Sequence, residues 1–272
     1  MTMRTVIQSP MEQRLAEIPR ALRGAPGVGA VWRWLARYGE WTLLAVTALG
    51  MTLTIWATFF YAPTELVEGP IQRIFYAHVP LAWNSYVAFF FTLLGGALYL
   101  WRRDERWDSF ARVNAEIGLV FTTLVLMSGS FWGRGYQGVW WWWDARLTTS
   151  LLMWFIYAGY LALRAYTGRT AQGARAAAVV GILGFVVTPI NYLSVQWWNT
   201  LHPQPVLELG SSPRLPAAML VALMIALVSF TLLYALLLIE AYKVERAQAL
   251  VARLRAEAEL LAEGETSETE LA

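Results

Sequence analysis

The sequence predicts an all-α integral membrane protein with six transmembrane helices. Of its 272 residues, 57% are hydrophobic, and the mean hydropathy is +0.44. Six stretches reach the roughly 20 apolar residues that a helix needs to cross the hydrocarbon core of a bilayer, and none alternates with the period of a membrane β-strand. The predicted spans are residues 41–61, 81–101, 113–131, 147–166, 177–198 and 216–240.

The positive charges give these spans an orientation. Of the 21 Lys and Arg residues, 17 lie in the two terminal segments and in the loops after the second and fourth spans. Because such residues are concentrated in cytoplasmic loops, both termini are predicted to be cytoplasmic, and the loops after the first, third and fifth spans are predicted to be external. The arginines in those external loops are Arg73, Arg134, Arg146 and Arg214.

Three regions follow from this arrangement. Residues 1–40 are predicted to be a cytoplasmic N-terminal segment, and no signal peptide is expected in it, since no apolar core follows the early charges. Residues 41–240 form the membrane domain, and residues 241–272 form a cytoplasmic helical extension with an acidic tail. The chain contains no cysteine, which excludes disulfides, thiolate metal sites and the CxxCH attachment of a c-type haem to this chain.

Both histidines of the chain lie in predicted external loops. His78 ends an apolar stripe with helical spacing, and Pro80, which lacks an N–H, is predicted to begin the second span. His202 follows the fifth span, in which Pro189 and Asn191 predict a kink with a polar partner. The two histidines are therefore predicted at matching depth, one just before a span and the other just after one.

Four consecutive tryptophans, Trp140 to Trp143, stand in the second external loop and are called the tryptophan run below. Adjacent side chains point about 100° apart in a helix and to opposite faces in a strand, so ordinary packing does not explain the run, and we expect it to contact a ligand. Trp132, by contrast, is expected at the membrane edge. Asp144 directly precedes the fourth span, a position that favours an N-cap and leaves room for a second role.

The external face thus combines an aromatic platform, two histidines and several arginines. Haem suits all three features, because indoles stack on a macrocycle, neutral imidazoles ligate iron, and guanidinium groups pair with propionates. Among the arginines, Arg146 stands out because it follows the tryptophan run closely. Each feature alone has an ordinary explanation, such as an interfacial aromatic belt or contacts with lipid phosphates, so only their convergence indicates a ligand site.

Three segments together resemble a known family: GVWWWWDARLT, FYAHVPLAW and SVQWWNTLHP. They are similar to the haem-handling WWD family, most closely to its cytochrome c maturation C proteins, over about residues 40–240. One position departs from the family pattern, since Gln137 stands where a tryptophan is usual. The resemblance implies haem b bound without a covalent bond, with His78 and His202 as axial ligands and with further contacts from Trp140, Trp141, Trp142, Trp143, Asp144 and Arg146.

The same resemblance implies a location and partners. The expected location is the bacterial plasma (inner) membrane, with the haem site facing the periplasm or exterior. Haem would be delivered to a membrane-anchored haem chaperone, cytochrome c maturation protein E, with the small membrane protein D and the ABC transporter subunits A and B as further partners. Lipid is an expected contact, and nucleic acid is not. The implied role is haem binding and transfer rather than enzymatic catalysis, and a lyase-like role in attaching haem to the chaperone stays open.

Three alternatives remain open. A WWD-type cytochrome c synthase would use additional histidines within the membrane, and no predicted span contains one. A transporter that moves haem through its own bundle would need polar residues along its helices, where Glu116 and Asn191 are scattered candidates; Glu116 is expected to pair with a neighbouring basic residue. A structural docking subunit would use the tryptophans as a surface for a partner protein.

Overall fold

The structure, a computed structural model, describes residues 30–198, 200–203 and 215–270, with side chains described between residues 38 and 259 apart from 256. The chain divides into two compact units, Met1–Ala45 and Val46–Ala272, and the site described below lies in the second. Residues 1–29 of the predicted N-terminal segment lie outside the described residues, and residues 30–40 belong to the first helix. The helices are α1 (Ala30–Trp56), α2 (Phe75–Arg102), α3 (Glu105–Gln137), α4 (Ala145–Thr167), α5 (Ala171–Phe185), α6 (Val187–Trp197) and α7 (Ala217–Glu270).

The prediction of an all-α membrane protein is confirmed. Within the described residues the β-structure is limited to one isolated bridge between Glu65 and Gly69. Helix α4, which contains the predicted span 147–166, has 23 residues and packs against α3, α5 and α6. Among the described residues, five helical stretches are long and apolar enough to cross a membrane: Tyr38–Tyr61, Pro70–Arg102, Glu105–Gln137, Ala171–Trp197 and Ala217–Glu259.

Several helices extend beyond the predicted spans, because hydropathy registers only their apolar parts. A 3-10 turn (Pro70–Ile74) leads directly into α2, so that α2 begins at Phe75 and Pro80 lies inside it. The predicted position of Pro80 at the start of the span was therefore wrong. Similarly, α7 passes residue 241 without a break and continues to Glu270.

The predicted kink in the fifth span is confirmed as the break between α5 and α6. Pro189 has no N–H to donate to the carbonyl four residues earlier, and that residue, Phe185, is the last of α5. Asn191 is 1% exposed and is the predicted polar partner. Its amide donates to the carbonyl oxygen of Arg146 at 2.9 Å and to Thr149 Oγ1 at 2.8 Å, which ties α6 to the first turns of α4.

Helix α2 lies at the centre of the second unit, with α3, α5 and α7 packed against it. Phe89 of α2 stacks on Tyr157 of α4 with 3.6 Å between ring centroids, and both side chains are fully buried. A Cβ on Gly118 of α3 would lie 2.5 Å from the Phe89 ring. Glycine at this position therefore allows α3 to approach α2 closely.

Buried ion pairs hold the opposite end of this bundle, where α3 begins and α4 ends. Arg164 is 3% exposed and donates to the Asp108 carboxylate at 2.6 Å. Glu245 of α7 is 6% exposed and accepts two hydrogen bonds from Arg169, at 2.8 and 3.1 Å. Because a buried charge is costly unless it is paired, these contacts fix α7 and the α4–α5 connection in one arrangement.

Candidate functional site

A cavity of about 890 Å³ lies among α2, α3, α4, α6 and α7, at the end of the bundle that carries the tryptophan run. Most of its wall is apolar and comes from α2, α3 and α7. Tyrosines aside, the ionisable side chains that line it among the described residues are Glu68, His78, Arg146 and His202. A largely apolar cavity with a few convergent polar groups is the usual form of a small-molecule site, and both predicted histidines are in its wall.

His78 lies in the first turn of α2, so the prediction that it precedes the span was wrong, since α2 begins at Phe75. Its Nδ1 is 2.9 Å from Ser128 Oγ. The Ser128 hydroxyl proton is directed at the carbonyl oxygen of Leu124, 2.7 Å away, so the serine oxygen accepts the Nδ1–H of His78. This tautomer leaves the free lone pair on Nε2, as a metal ligand requires.

Trp132 packs against the other side of His78. The two rings meet edge to face at 84°, with 5.8 Å between centroids, and the indole N–H donates to the Glu68 carboxylate at 2.8 Å. Burial raises the pKa of the Glu68 carboxyl, and the Trp132 hydrogen bond opposes that rise. Trp132 therefore lies in the cavity wall with its indole N–H on Glu68, and its position at the membrane edge stays a prediction.

His202 lies in the short segment that follows α6. Its Nδ1 is 2.9 Å from the carbonyl oxygen of Pro203, and since a carbonyl can only accept, the ring donates from Nδ1 and keeps the lone pair on Nε2. Burial and then the nearby Arg146 guanidinium lower the pKa of His202 to about 4. The imidazole is therefore neutral near pH 7, in the same tautomer as His78.

The tryptophan run is divided by the structure. Trp141 and Trp142 line the cavity, whereas Trp140 and Trp143 do not and are 55% and 75% exposed. A Cβ on Gly133 of α3 would lie 2.7 Å from the Trp142 ring, so the absence of a side chain there lets this indole pack against α3. Of the four tryptophans predicted to contact a ligand, the structure places the middle pair in the cavity wall, and the ligand contact of all four stays a prediction.

Asp144 is the N-cap of α4, as predicted, and accepts the backbone N–H of Leu147 at 2.8 Å. Its second oxygen accepts the indole N–H of Trp142 at 3.0 Å and the Thr200 hydroxyl at 2.6 Å. Thr200 Oγ1 in turn accepts the backbone N–H of His202 at 3.0 Å. Asp144 does not line the cavity, but it connects the tryptophan run to the segment that carries the second histidine.

Arg146 is the predicted arginine that the structure brings to the cavity. Its guanidinium donates to the carbonyl oxygens of Asn191 and Tyr192, at 2.6 and 3.2 Å, which fixes it against α6. Arg73 and Arg134 do not line the cavity. Arg214 lies outside the described residues.

Sequence reasoning missed three polar residues of this site: Glu68, Ser128 and Thr200. Thr200 lies in the SVQWWNTLHP segment but was not singled out there, and Glu68 and Ser128 belong to no motif. Each acquires its role from a contact across more than 45 positions in the sequence. A hydroxyl within an apolar span was the available signal for Ser128, because polar side chains in membrane helices usually face the bundle interior. Gln137, the position that departs from the family pattern, lines the cavity.

Comparison with known proteins identifies the family. The family described as "Heme exporter protein C" matches residues 25–258. The chain belongs to this family. The matched region is wider on both sides than the residues 40–240 covered by the sequence motifs.

Individual relatives agree with this assignment. The Heme exporter protein C of Haemophilus influenzae is 32% identical over 230 residues, covering 79% of this chain and 92% of the relative. The protein of the same name from Bradyrhizobium diazoefficiens is 36% identical over 212 residues, covering 77% and 79%. A relative from Marchantia polymorpha, named as a "cytochrome c biosynthesis ccmC-like mitochondrial protein", is 34% identical over 186 residues, covering 68% and 76%.

The Asp144→Ala variant is expected to lose more stability than the loss of a helix cap alone causes. It removes the N-cap and two further hydrogen bonds to a carboxylate, for a total of about 3–5 kcal/mol in the free energy of unfolding. Asp104→Ala is the matched control, since Asp104 caps α3 through a single hydrogen bond to the N–H of Arg106, and its loss should be about 1 kcal/mol. Denaturant titration in detergent measures both, and equal losses would show that Asp144 is only a cap.

Proposed function

We propose that this chain binds haem between His78 and His202 at the external end of the bundle and delivers it to a haem chaperone during c-type cytochrome biogenesis. One observation carries the proposal: two imidazoles line one cavity, and the Nδ1 of each has a hydrogen-bond partner of its own, which leaves the Nε2 of each for iron. The names of the relatives, heme exporter protein C and a cytochrome c biosynthesis protein, support the same cargo and pathway.

The cavity suits haem in size and in chemistry. Its volume of about 890 Å³ lies within the usual range for small-molecule sites of about 300–1,000 Å³. The indoles of Trp141 and Trp142 offer aromatic faces to a macrocycle, and the iron of a bound haem supplies two axial coordination positions for imidazole nitrogens. Arg146 is the cation available to a propionate, and its contacts with α6 keep the guanidinium at the cavity.

The protein residues orient both ligands before haem arrives. Ser128 accepts the Nδ1–H of His78, and the Pro203 carbonyl accepts that of His202. Such second partners fix the tautomer of a metal-binding histidine, and they increase the basicity of the nitrogen that binds the metal. Glu68 and Trp132 limit the rotation of the His78 ring from the opposite side.

In this proposal the chain is a multi-pass protein of the bacterial plasma membrane with both termini in the cytoplasm. The excess of Lys and Arg near the ion-paired end of the bundle supports a cytoplasmic position for that end, and the cavity end then faces the periplasm or exterior. Delivery would involve cytochrome c maturation protein E, with protein D and the transporter subunits A and B as partners. The chain then acts in haem transfer rather than as an enzyme.

The polar residues within the bundle favour this reading over a haem path through the membrane. Glu116 accepts from Arg112 at 3.0 Å, as expected from the sequence, and Asn191 joins α6 to α4. Both candidates for a transport path therefore have structural partners. His78 lies in a span, unlike the sequence prediction, but at the outer end of α2, so a second haem site deep in the membrane, as a synthase would need, has no histidine within the described spans.

Substitution of the histidines tests the ligand assignment. The purified protein is expected to show the absorption spectrum of low-spin haem with two imidazole ligands. His78→Ala and His202→Ala should each give high-spin haem or lose it, and the double variant should bind none. Tyr166→Ala is the control, because this side chain is 91% exposed at the far end of α4. Unchanged spectra in both single variants would refute the assignment.

The tryptophan run contains its own matched control. Trp141→Ala and Trp142→Ala remove cavity-lining indoles and should weaken haem binding about tenfold each, since an aromatic contact contributes about 1.4 kcal/mol. Trp140→Ala, one position earlier, should leave the dissociation constant unchanged, because Trp140 packs on Phe131 and neither of them lines the cavity. Haem titration of the three variants measures the difference. An effect of Trp140→Ala equal to the other two would argue against the division of the run.

Capture of the complex with the haem chaperone distinguishes haem delivery from docking alone. Haem is expected to travel with the captured chaperone when the wild-type chain is used and to be absent from it when the His78→Ala/His202→Ala chain is used. Absorbance at the haem bands and protein staining of the same fractions give both quantities. Association without any transfer of haem would favour a structural docking subunit.

A further inference from the structure

Building on the proposed function, we infer that His202 is the exchangeable axial ligand and that the Thr200–Asp144 hydrogen bond is the contact that retains it. Both histidines line the cavity and have a hydrogen-bond partner at Nδ1, but they are held in different ways. His78 is fixed by regular structure, whereas His202 belongs to the short described segment 200–203, whose hydrogen bond to the rest of the described bundle is made by Thr200. The ligand that leaves first during transfer is therefore set by the fold.

His78 is held by three separate elements. Its backbone belongs to α2, its Nδ1–H is bound by Ser128 of α3 at 2.9 Å, and its ring packs against Trp132, which Glu68 holds from the loop before α2. A Cβ on Gly129 of α3 would lie 3.2 Å from the His78 ring, so α3 is in close contact with it. Movement of Nε2 away from a bound iron would disturb all of these contacts together.

The hydrogen-bond partners of His202 lie in its own segment, so they would move together with it. Its ring donates to Pro203 and its backbone N–H donates to Thr200, and both partners belong to the same segment. Of the hydrogen bonds given for the described residues 200–203, the one that reaches the rest of the bundle joins the Thr200 hydroxyl to Asp144 at 2.6 Å. Leu201, between them, is 67% exposed and adds little packing.

Asp144 therefore acts on the iron through Thr200 and His202 as a positioning residue. The same carboxylate oxygen accepts from Trp142, so release of Thr200 leaves the tryptophan platform in place. A recipient protein can then occupy the axial position that His202 vacates while His78 and the indoles continue to hold the macrocycle.

Carbon monoxide binding to the reduced, haem-loaded full-length chain measures the exchange. Carbon monoxide takes an axial position only after a protein ligand has left, so at high concentration the binding rate reports ligand dissociation. Thr200→Val keeps the side-chain shape without the hydroxyl and should raise this rate about tenfold, the factor that corresponds to about 1.4 kcal/mol for a hydrogen bond to a charged acceptor. Thr200→Ser restores the hydroxyl and should restore the wild-type rate.

Two further variants decide the assignment. Thr52→Val is the matched control, because Thr52 is exposed on α1 and bonds only to the carbonyl of Ala48 among the contacts described; its rate should equal that of the wild type. Ser128→Ala weakens the hold on His78 and should raise the rate less than Thr200→Val does. A larger increase for Ser128→Ala, or a wild-type rate for Thr200→Val, overturns the inference.

Hydrogen exchange in the haem-free chain supplies a readout that does not depend on bound haem. Thr200→Val should speed the exchange of the backbone amides of residues 200–202 and leave the first turns of α2 unchanged, while equal exchange in both segments contradicts the inference. A wild-type chain that binds no haem would overturn the proposed function. A chain with a normal haem spectrum and unaltered carbon monoxide kinetics in Thr200→Val would overturn only the assignment of His202 as the exchangeable ligand.

Discussion

The carboxylate of Asp144 is the group on which the geometry of the site depends. It begins α4, accepts the indole N–H of Trp142 and holds Thr200 beside His202. An ionised carboxylate can accept about four hydrogen bonds, and bonds to a charged acceptor are stronger than neutral ones. One side chain can therefore anchor three segments that are otherwise separate: the tryptophan run, the first turn of α4 and the segment after α6.

A second polar contact keeps the helices around the site in register. Arg146 donates to the carbonyl of Asn191, and the Asn191 amide donates to the carbonyl of Arg146, with the Tyr86 hydroxyl completing the group by donating to Asn191. The arginine that faces the cavity therefore also holds α6, after the break at Pro189, against the start of α4.

Much of the fold could be predicted, because a membrane span needs a fixed length of apolar sequence and the spans differ sharply from the loops. The start of α2 could not be predicted, because hydropathy does not show that the 3-10 turn runs directly into this helix. For this reason His78 and Pro80 lie inside α2 rather than before it or at its start. Motifs identified both histidines, the tryptophan run and Arg146. They could not show which indoles face the cavity, nor that Trp132 is turned inward by Glu68, because those facts depend on contacts between segments distant in sequence.

A carrier must hold its cargo firmly yet release it, and two identical, equally fixed ligands would serve only the first need. Loss of one axial bond lowers the barrier to transfer, provided that the other bond and the macrocycle contacts persist. Under the proposed assignment, one ligand lies within a packed helix and the other on a segment that Thr200 joins to the half-buried Asp144 carboxylate. Because that carboxylate also accepts from Trp142, a partner that competes for the Thr200 contact alone would free one coordination position on the iron and leave the rest of the site in place.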